Sequence, residues 1–438
     1  MMKIYQNPDK SLWSQLVERP KMDTETLWSL VKEVFQEVKT YGDKAVINFT
    51  EKFDKVLLNN LQVSQEEILE SYSLVNADLK NAILQAASNI KDFHRSQKEK
   101  KKVIETTSGV YCWRESRPIE KVGIYIPGGT APLFSTVLML AIPAQIAGCQ
   151  EIILCTPPNS EGKVHPAILF SAAITGVTQI FKIGGIQSIA AMALGTETVP
   201  KVYKIFGPGN QYVTTAKEYA QTLGIAIDMP AGPSEVLIIA DEWANPEFVA
   251  ADLLSQAEHG ADSQVVLLSH SRNLLEATQF ALNQQLEDLP RKNVAIKALE
   301  NSYCIEFPDL QTCFEFSNFY APEHLILAIK KAKKYTDFIQ NAGSVFLGKY
   351  SCESAGDYAS GTNHTLPTAG FAKAFSGVSL DSFMKKITFQ KITKKGMLNL
   401  GNTIEIMAEN EELFAHKNAV SIRLNDLKND GYSKLYKR

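Results

Sequence analysis

The chain has 438 residues, 45% of them hydrophobic and 21% charged, and 45 Lys and Arg against 48 Asp and Glu leave a formal net charge of −3. These values exclude whole-chain disorder, a collagen-like or coiled-coil rod, and a bulk positive field that would draw in nucleic acid. At about 100–200 residues per domain the length predicts two to four domains, with core enough to need no disulfide or metal staple.

Residues 1–120 read as helical and polar, with Leu27, Leu30, Val31 and Val34, then Ile83, Ala87 and Ile90, at helical spacing. The N-terminal MMKIYQNPDKSLW has no apolar core followed by small residues, so no targeting signal is expected. The basic run 95–102 carries no aromatic residue and reads as a solvated helix end. From Val122 short apolar runs alternate with helical stretches: runs at 122–126, 152–155, 180–183, 204–206, 226–228 and 236–240, resuming at 265–268, 325–327 and 344–347. That alternation predicts βα units on parallel sheets, one layer continuous in sequence and the other split around it. The most apolar stretch, from Val137, meets Pro143 well short of the about 20 residues a membrane span needs. The last 60 residues look helical. Six scattered cysteines (Cys112, Cys149, Cys155, Cys304, Cys313 and Cys352) form no C-x-x-C pair, which points to the cytoplasm and away from a thiolate zinc site.

Gly207-Pro208-Gly209, followed by Asp228, suggests a dinucleotide fingerprint, in which glycines admit the pyrophosphate and an acid about 20 residues on takes the ribose hydroxyls. Tyr212 stands where the third glycine belongs and Pro208 removes an amide donor, so a tight strand-to-helix turn is the better reading. Gly128-Gly129 is a weaker signal, and Gly184-Gly185 is an ordinary βα loop that can also offer amides to an anion.

Of seven histidines, His94, His165 and His270 read as solvated. Gln256 and His259, three apart at the end of a helical run, share a face and suit a divalent cation. Glu323-His324, just before an apolar run, is either an acid–base pair at a sheet rim or a neutral capping pair. The loop 354–364 is polar and long for a connector, and offers Asp357 and His364. Glu411 and His416 lie near the C-terminus. Gln256, His259, Asp357 and His416 together make an N/O donor set without sulfur, suited to zinc or manganese.

The segments VGIYIPGGTAPLFSTVLMLAIPAQIAGC, KIFGPGN, IDMPAGPSEVLIIAD, DLLSQAEHG, PEHL, AGSVFLG, ESAGDYASGTNH and AHKNAV occur in that order from Val122 onward. In them the chain resembles the histidinol dehydrogenases, enzymes of the last two steps of histidine biosynthesis. The resemblance implies one zinc per subunit on Gln256, His259, Asp357 and His416, and an acid–base pair of Glu323 and His324. It implies NAD contacts at Tyr125, Gln187 and Asn210. Substrate contacts are implied at Ser234, Gln256, His259, His324, Asp357, Glu411 and His416. The implied fold is α/β: two incomplete Rossmann-like domains plus small helical terminal domains, in an intertwined homodimer with shared active sites. The boundaries then read as an N-terminal helical segment 1–20, a first domain of 21–120 with 235–378, a second of 121–234, and a helical segment 379–438 exchanged with the partner. One departure is Ile186, where a smaller residue is expected before Gln187.

The implied reaction takes L-histidinol through the aldehyde to L-histidine with two NAD in sequence, His324 as general base and Glu323 activating water. A cysteine thiohemiacetal would need a lowered thiol pKa, and Cys149 has no cationic neighbour to lower its own, so Cys149 and Cys155 read as packing residues. The competing readings are a metal-dependent hydrolase, which would need no nicotinamide, and a non-catalytic metal-binding protein.

Overall fold

The computed structural model describes residues 2–19, 24–128, 131–230 and 232–435. The chain divides into two units, 1–97 with 119–383 and 98–118 with 384–438. Its strands in chain order are β1 (Lys3–Gln6), β2 (Val103–Thr107), β3 (Val110–Pro118), β4 (Lys121–Tyr125) and β5 (Glu151–Thr156). Then come β6 (Gln179–Lys182), β7 (Lys204–Phe206), β8 (Ala226–Ile227), β9 (Glu235–Ala240) and β10 (Gln264–Ser269). The last are β11 (Tyr303–Glu306), β12 (His324–Ala328), β13 (Ser344–Leu347) and β14 (Met384–Ile392).

The first unit holds a five-stranded sheet of order β6-β5-β4-β7-β8 and a six-stranded sheet of order β1-β11-β10-β9-β12-β13. Every pairing in both is parallel. Counted from its own first strand, each sheet runs 3-2-1-4-5, with β1 added at one edge. Because helices cover parallel sheets, the strands are continuous apolar runs such as Val236–Ile239, and these residues are fully buried. The helix Phe134–Ala147 runs through Pro143 and stops at Gly148, whose φ of 91° suits a left-handed cap.

The helices of 24–97 pack on the five-stranded layer: Val31, Val34, Phe35, Val38, Val46 and Phe49 share a core with Phe181, Ile189 and Met192. Ile83 and Ile90 likewise meet Leu138 and Met139. The sequence reading grouped 21–120 with 235–378. A buried helical stripe shows that a helix docks, and carries nothing about which sheet receives it. His94, read as solvated, is buried, its Nδ1–H donating to the Ile90 carbonyl at 2.9 Å.

The 1–20 segment is not purely helical. β1 is a strand on the edge of the six-stranded sheet, followed by the short helices Lys10–Leu12 and Trp13–Leu16. β11 is also not among the apolar runs expected from the sequence. In the second unit β14, β3 and β2 form an antiparallel sheet, and the helices Lys394–Asn410 and Phe414–Leu435 pack on each other. The stretches read as helical at 103–118 and 384–392 are therefore strands. They mix β-branched and aromatic residues with Lys, Arg and Glu, and only Val110 among them is buried, so no covered face sets a clear period of two. No helix among the described residues is long and apolar enough to cross a membrane.

Two opposite sheet edges carry the candidate residues. Tyr125 ends β4 and Asn210 follows β7, at the carboxyl ends of the five-stranded sheet, whereas Glu235 opens β9 and His324 opens β12, at the amino ends of the six-stranded sheet. Arg19 ties the N-terminal segment to that second edge. Its Nε and Nη2 donate to Glu235 Oε1 and Oε2 at 2.9 and 3.0 Å, and Nη2 also donates to the Tyr320 carbonyl at 2.9 Å. Removing one partner of a buried pair strands the other charge, so Arg19→Ala is expected to cost about 3–5 kcal/mol. Urea unfolding measures this at constant slope, and a loss under about 1 kcal/mol, the worth of a surface pair, would contradict it.

Candidate active site

The parallel pairing of β12 on β9 places His324 opposite Val236, beside the first residue of β9. His324 Nδ1–H donates to the Glu235 carbonyl at 3.1 Å, which fixes the tautomer and leaves Nε2 as the free nitrogen. Glu323 Oε2 accepts from Glu235 N–H at 2.8 Å and lies 3.7 Å from His324 Nδ1. Burial pushes the Glu323 carboxyl up to about 8. Burial opposes charge on His324 too, but the fields of Glu323, Asp357 and Glu353 overcome it and raise the ring to about 10. Asp357 and Glu353 also converge on His259, so a cation held among those three side chains would oppose the rise.

Gln256 is the penultimate residue of the helix Pro246–Ala257, and His259 lies just past its end, donating its N–H to the Gln256 carbonyl at 3.2 Å. The two therefore do not share a helical face. They are joined by a tight turn. Asp357 comes from the short helix Glu353–Tyr358, where Gly356 admits the Phe346 ring: a Cβ there would stand 2.7 Å from it. His364 Nδ1–H donates to the Asp357 carbonyl at 2.8 Å and its Nε2 is 3.1 Å from Thr136 Oγ1, so it braces the loop.

His259, Glu353 and Asp357 offer donor atoms that all lie within 4.8 Å of one another. Glu353 is the residue the sequence reading missed. Its position four residues before Asp357, on one turn of helix, was the available signal. The Gln256 amide, oriented with its nitrogen toward Glu353, donates to that carboxylate, and its oxygen accepts from Glu235 N–H at 3.1 Å. Burial raises Glu353 to about 8. For Asp357 burial acts the same way, but His324, His364 and His259 outweigh it and hold the carboxyl below its ordinary value. His324 Nε2 and Asp357 Oδ1 are both buried without a hydrogen-bond partner, 3.5 Å apart. Orphaned donors of this kind, all nitrogen and oxygen, fit a zinc-like cation.

Tyr125, Gln187 and Asn210 all line one cavity of about 800 Å³, together with Ile186. That volume is within the range of small-molecule and cofactor sites, about 300–1,000 Å³. Asn210 caps the helix Gln211–Thr222, accepting from the N–H groups of Tyr212 and Val213. Tyr125 Oη accepts from Gly185 N–H at 3.2 Å, and Gln187 is fully buried with Oε1 unpartnered. An orphaned amide beside a cavity of this size fits a polar cofactor. Gly207 holds φ of 130°, donates its N–H to Asp228 Oδ2 at 2.8 Å, and accepts from Lys217 Nζ at 2.8 Å. Asp228 and Lys217 form a buried ion pair, so Asp228 is committed to a strand-to-helix turn. Gly129 lies outside the described residues.

Ser234 directly precedes Glu235. Burial pushes the Cys149 thiol up to about 12 and Cys155 higher still, which disfavours the nucleophilic thiolate. Glu411 and His416 belong to the second unit, where both are exposed between and on its two long helices.

The family model for histidinol dehydrogenase matches residues 17–424. A histidinol dehydrogenase of Bacteroides thetaiotaomicron is 58% identical over 428 residues, covering 98% of this chain and 100% of that protein. One of Campylobacter jejuni is 50% identical over 428 residues, covering 97% and 99%. The crystal structure of histidinol dehydrogenase from Elizabethkingia anophelis matches with a TM-score of 0.96 at 62% identity, covering 98% of this chain and 99% of that chain.

Glu353 enters the donor cluster directly and through Gln256. Glu353→Gln is therefore expected to weaken zinc binding by about 10- to 100-fold, measured by competition with a chromophoric chelator. Wild-type affinity in that variant would remove Glu353 from the set.

Proposed function

The chain belongs to the histidinol dehydrogenase family, and from that premise we propose how its residues divide the NAD-dependent oxidation of L-histidinol to L-histidine. The two sheets act as incomplete Rossmann-like domains, a reading their 3-2-1-4-5 order supports. The observation that carries the proposal is the His324 ring, fixed through Nδ1–H on the Glu235 carbonyl so that a buried, unpartnered Nε2 faces the donor cluster.

His324 Nε2 takes the substrate hydroxyl proton in the first oxidation and serves again when the hydrated aldehyde is oxidised. Glu323, next to it and made more basic by burial, takes a proton from the water that adds to the aldehyde. Tyr125, Gln187 and Asn210 would hold NAD, which when bound would supply the hydride acceptor for each step. Gln256, His259 and Asp357, with His416 of the partner subunit, would hold zinc, Glu353 supporting the set directly or through the Gln256 amide, and the ion when bound would supply Lewis-acid anchoring of the substrate's imidazole and amine. Ser234 and Asp357 flank the substrate, joined by the partner's Glu411. The buried thiols take no part, and the family assignment sets aside the hydrolase alternative. Six free cysteines support a cytoplasmic protein.

Sharing of the site between two chains is supported by the surroundings of Glu411 and His416. Ile406, Met407, Leu413 and Phe414 are all exposed large apolar side chains on the same helical pair or in the turn that joins it. Such side chains are stabilised by docking on another surface, and a second identical chain gives a closed two-fold dimer.

Glu323→Gln is expected to slow aldehyde oxidation far more than alcohol oxidation, by a factor in the range of about 10²–10⁴, whereas replacing His324 slows both. Rapid-mixing assays started from histidinol and from the aldehyde separate the steps, and equal loss in both for Glu323→Gln would refute the division. Sharing is tested by mixing inactive His416→Ala chains with inactive His259→Ala chains. A shared arrangement restores one intact site per heterodimer. Activity that stays at background, with subunit exchange confirmed by mass spectrometry, would place each site within one chain.

A further inference from the structure

We propose that Asp54, the last residue of the helix Asp43–Asp54, is the carboxylate that holds the adenosine-ribose hydroxyls of the cofactor and selects NAD over NADP. This rests on the cavity of Tyr125, Gln187 and Asn210 being the cofactor's.

In open sheets of order 3-2-1-4-5 the ribose acid comes just after the second strand. Here the second strand is β5, and Thr156 at its end leads into Pro157-Pro158-Asn159, a stretch without a carboxylate. Asp228, at the right sequence distance from the Gly207 turn, is buried against Lys217 and Gly207 N–H. Neither usual source of the acid is available.

Asp54 fills that place from outside the sheet. An ideal Cβ on Gly184, just after β6, would lie 2.6 Å from Pro157 Cβ and 3.2 and 3.3 Å from the two carboxylate oxygens of Asp54. The carboxylate therefore stands beside the first residue beyond β5. Its Oδ2 accepts from Gln187 Nε2 at 3.2 Å, and the other end of that buried amide, Oε1, has no partner. Asp54 and Gln187 thus present a polar pair to the cavity. Among the described residues lining that cavity, Asp54 is the only carboxylate.

A carboxylate accepts hydrogen bonds from two vicinal hydroxyls, as NAD offers. The 2′-phosphate of NADP removes one donor and adds a charge of roughly −1.5 to −2 against Asp54. Lys163 also lines the cavity. With Asp54 neutralised it would remain as the cationic group among the described lining residues, so the loss of discrimination comes from better NADP binding as well as weaker NAD binding.

The test titrates NAD and NADP into the zinc-loaded full-length enzyme by calorimetry, without substrate, for wild type, Asp54→Asn and Asp54→Glu, with kcat/KM for both cofactors alongside. Asp54→Asn is expected to weaken NAD about 10-fold and to lower the NAD-to-NADP affinity ratio by at least about 10-fold. Asp54→Glu, which keeps the charge, is expected to weaken NAD while still rejecting NADP, and it keeps the test open if Asp54→Asn folds poorly. An affinity ratio within about twofold of wild type in a folded Asp54→Asn enzyme would overturn the inference, as would NADP binding by Asp54→Glu as tight as its NAD binding. Gln187→Ala and Asn210→Ala separate the two levels. If they weaken NAD and the Asp54→Asn ratio does not move, only the role of Asp54 falls. If neither weakens NAD, the cavity is not the cofactor's and both readings fall.

Discussion

The site is organised around buried negative charge. Glu235, Glu323, Glu353 and Asp357 are all buried near one imidazole, His324, at the amino edge of the six-stranded sheet. Ions removed from water must be compensated locally, or they neutralise by shifting their pKa. Arg19 compensates Glu235 with two hydrogen bonds. Glu323 and Glu353 respond by rising to about 8, and His324 by rising to about 10. The remaining deficit lies where His259, Glu353 and Asp357 converge, and a divalent cation there is the economical answer. In the proposed mechanism stability and catalysis are thereby linked, since the charges that make the fold costly are the ones assigned to bind and deprotonate.

The two sheets use opposite edges. The proposed cofactor residues lie at the carboxyl ends of the five-stranded sheet, where βα loops open and helix N-termini point outward, the usual crevice of an open parallel sheet. The proposed acid–base pair lies at the amino ends of the other sheet, where β9 and β12 begin. That edge offers a backbone carbonyl, Glu235 O, to lock the His324 tautomer, and a backbone N–H, Glu235 N, to hold Glu323. One residue's peptide groups therefore orient both Glu323 and His324, and its own side chain is held by Arg19.

Conversely, the glycine turn at Gly207 is structural in its side chains. Lys217 and Asp228 spend their charges on each other and on the backbone of that turn. The segment that looked most like a dinucleotide fingerprint is therefore a brace for the loop bearing Asn210. Besides Asn210, polar groups lining the cavity come from Tyr125, from Gln187 and, on a helix remote in sequence, from Asp54.

Features that rest on local pattern are legible in the amino-acid order. The apolar runs of β4 to β10, β12 and β13 were legible because both faces of a parallel strand are buried and leave no polar alternation. Glu323-His324 was legible as a pair at a strand entrance, and Gln256, His259 and Asp357 as donors in polar segments. What only the tertiary structure decided is which distant segments meet. The stripe of Val31, Val34 and Val38 was visible, but its docking on the five-stranded sheet depends on Ile189 and Met192 across a gap of about 150 residues. β2, β3 and β14 form one sheet from segments nearly 300 residues apart, and their mostly exposed faces made them read as polar helix. Glu353 joins the donor cluster, His94 is buried, and Asp54 reaches Pro157 and Gln187 only through long-range packing. Hydrophobic periodicity records whether a face is covered. The covering surface belongs to another part of the chain, and its identity is a property of the fold.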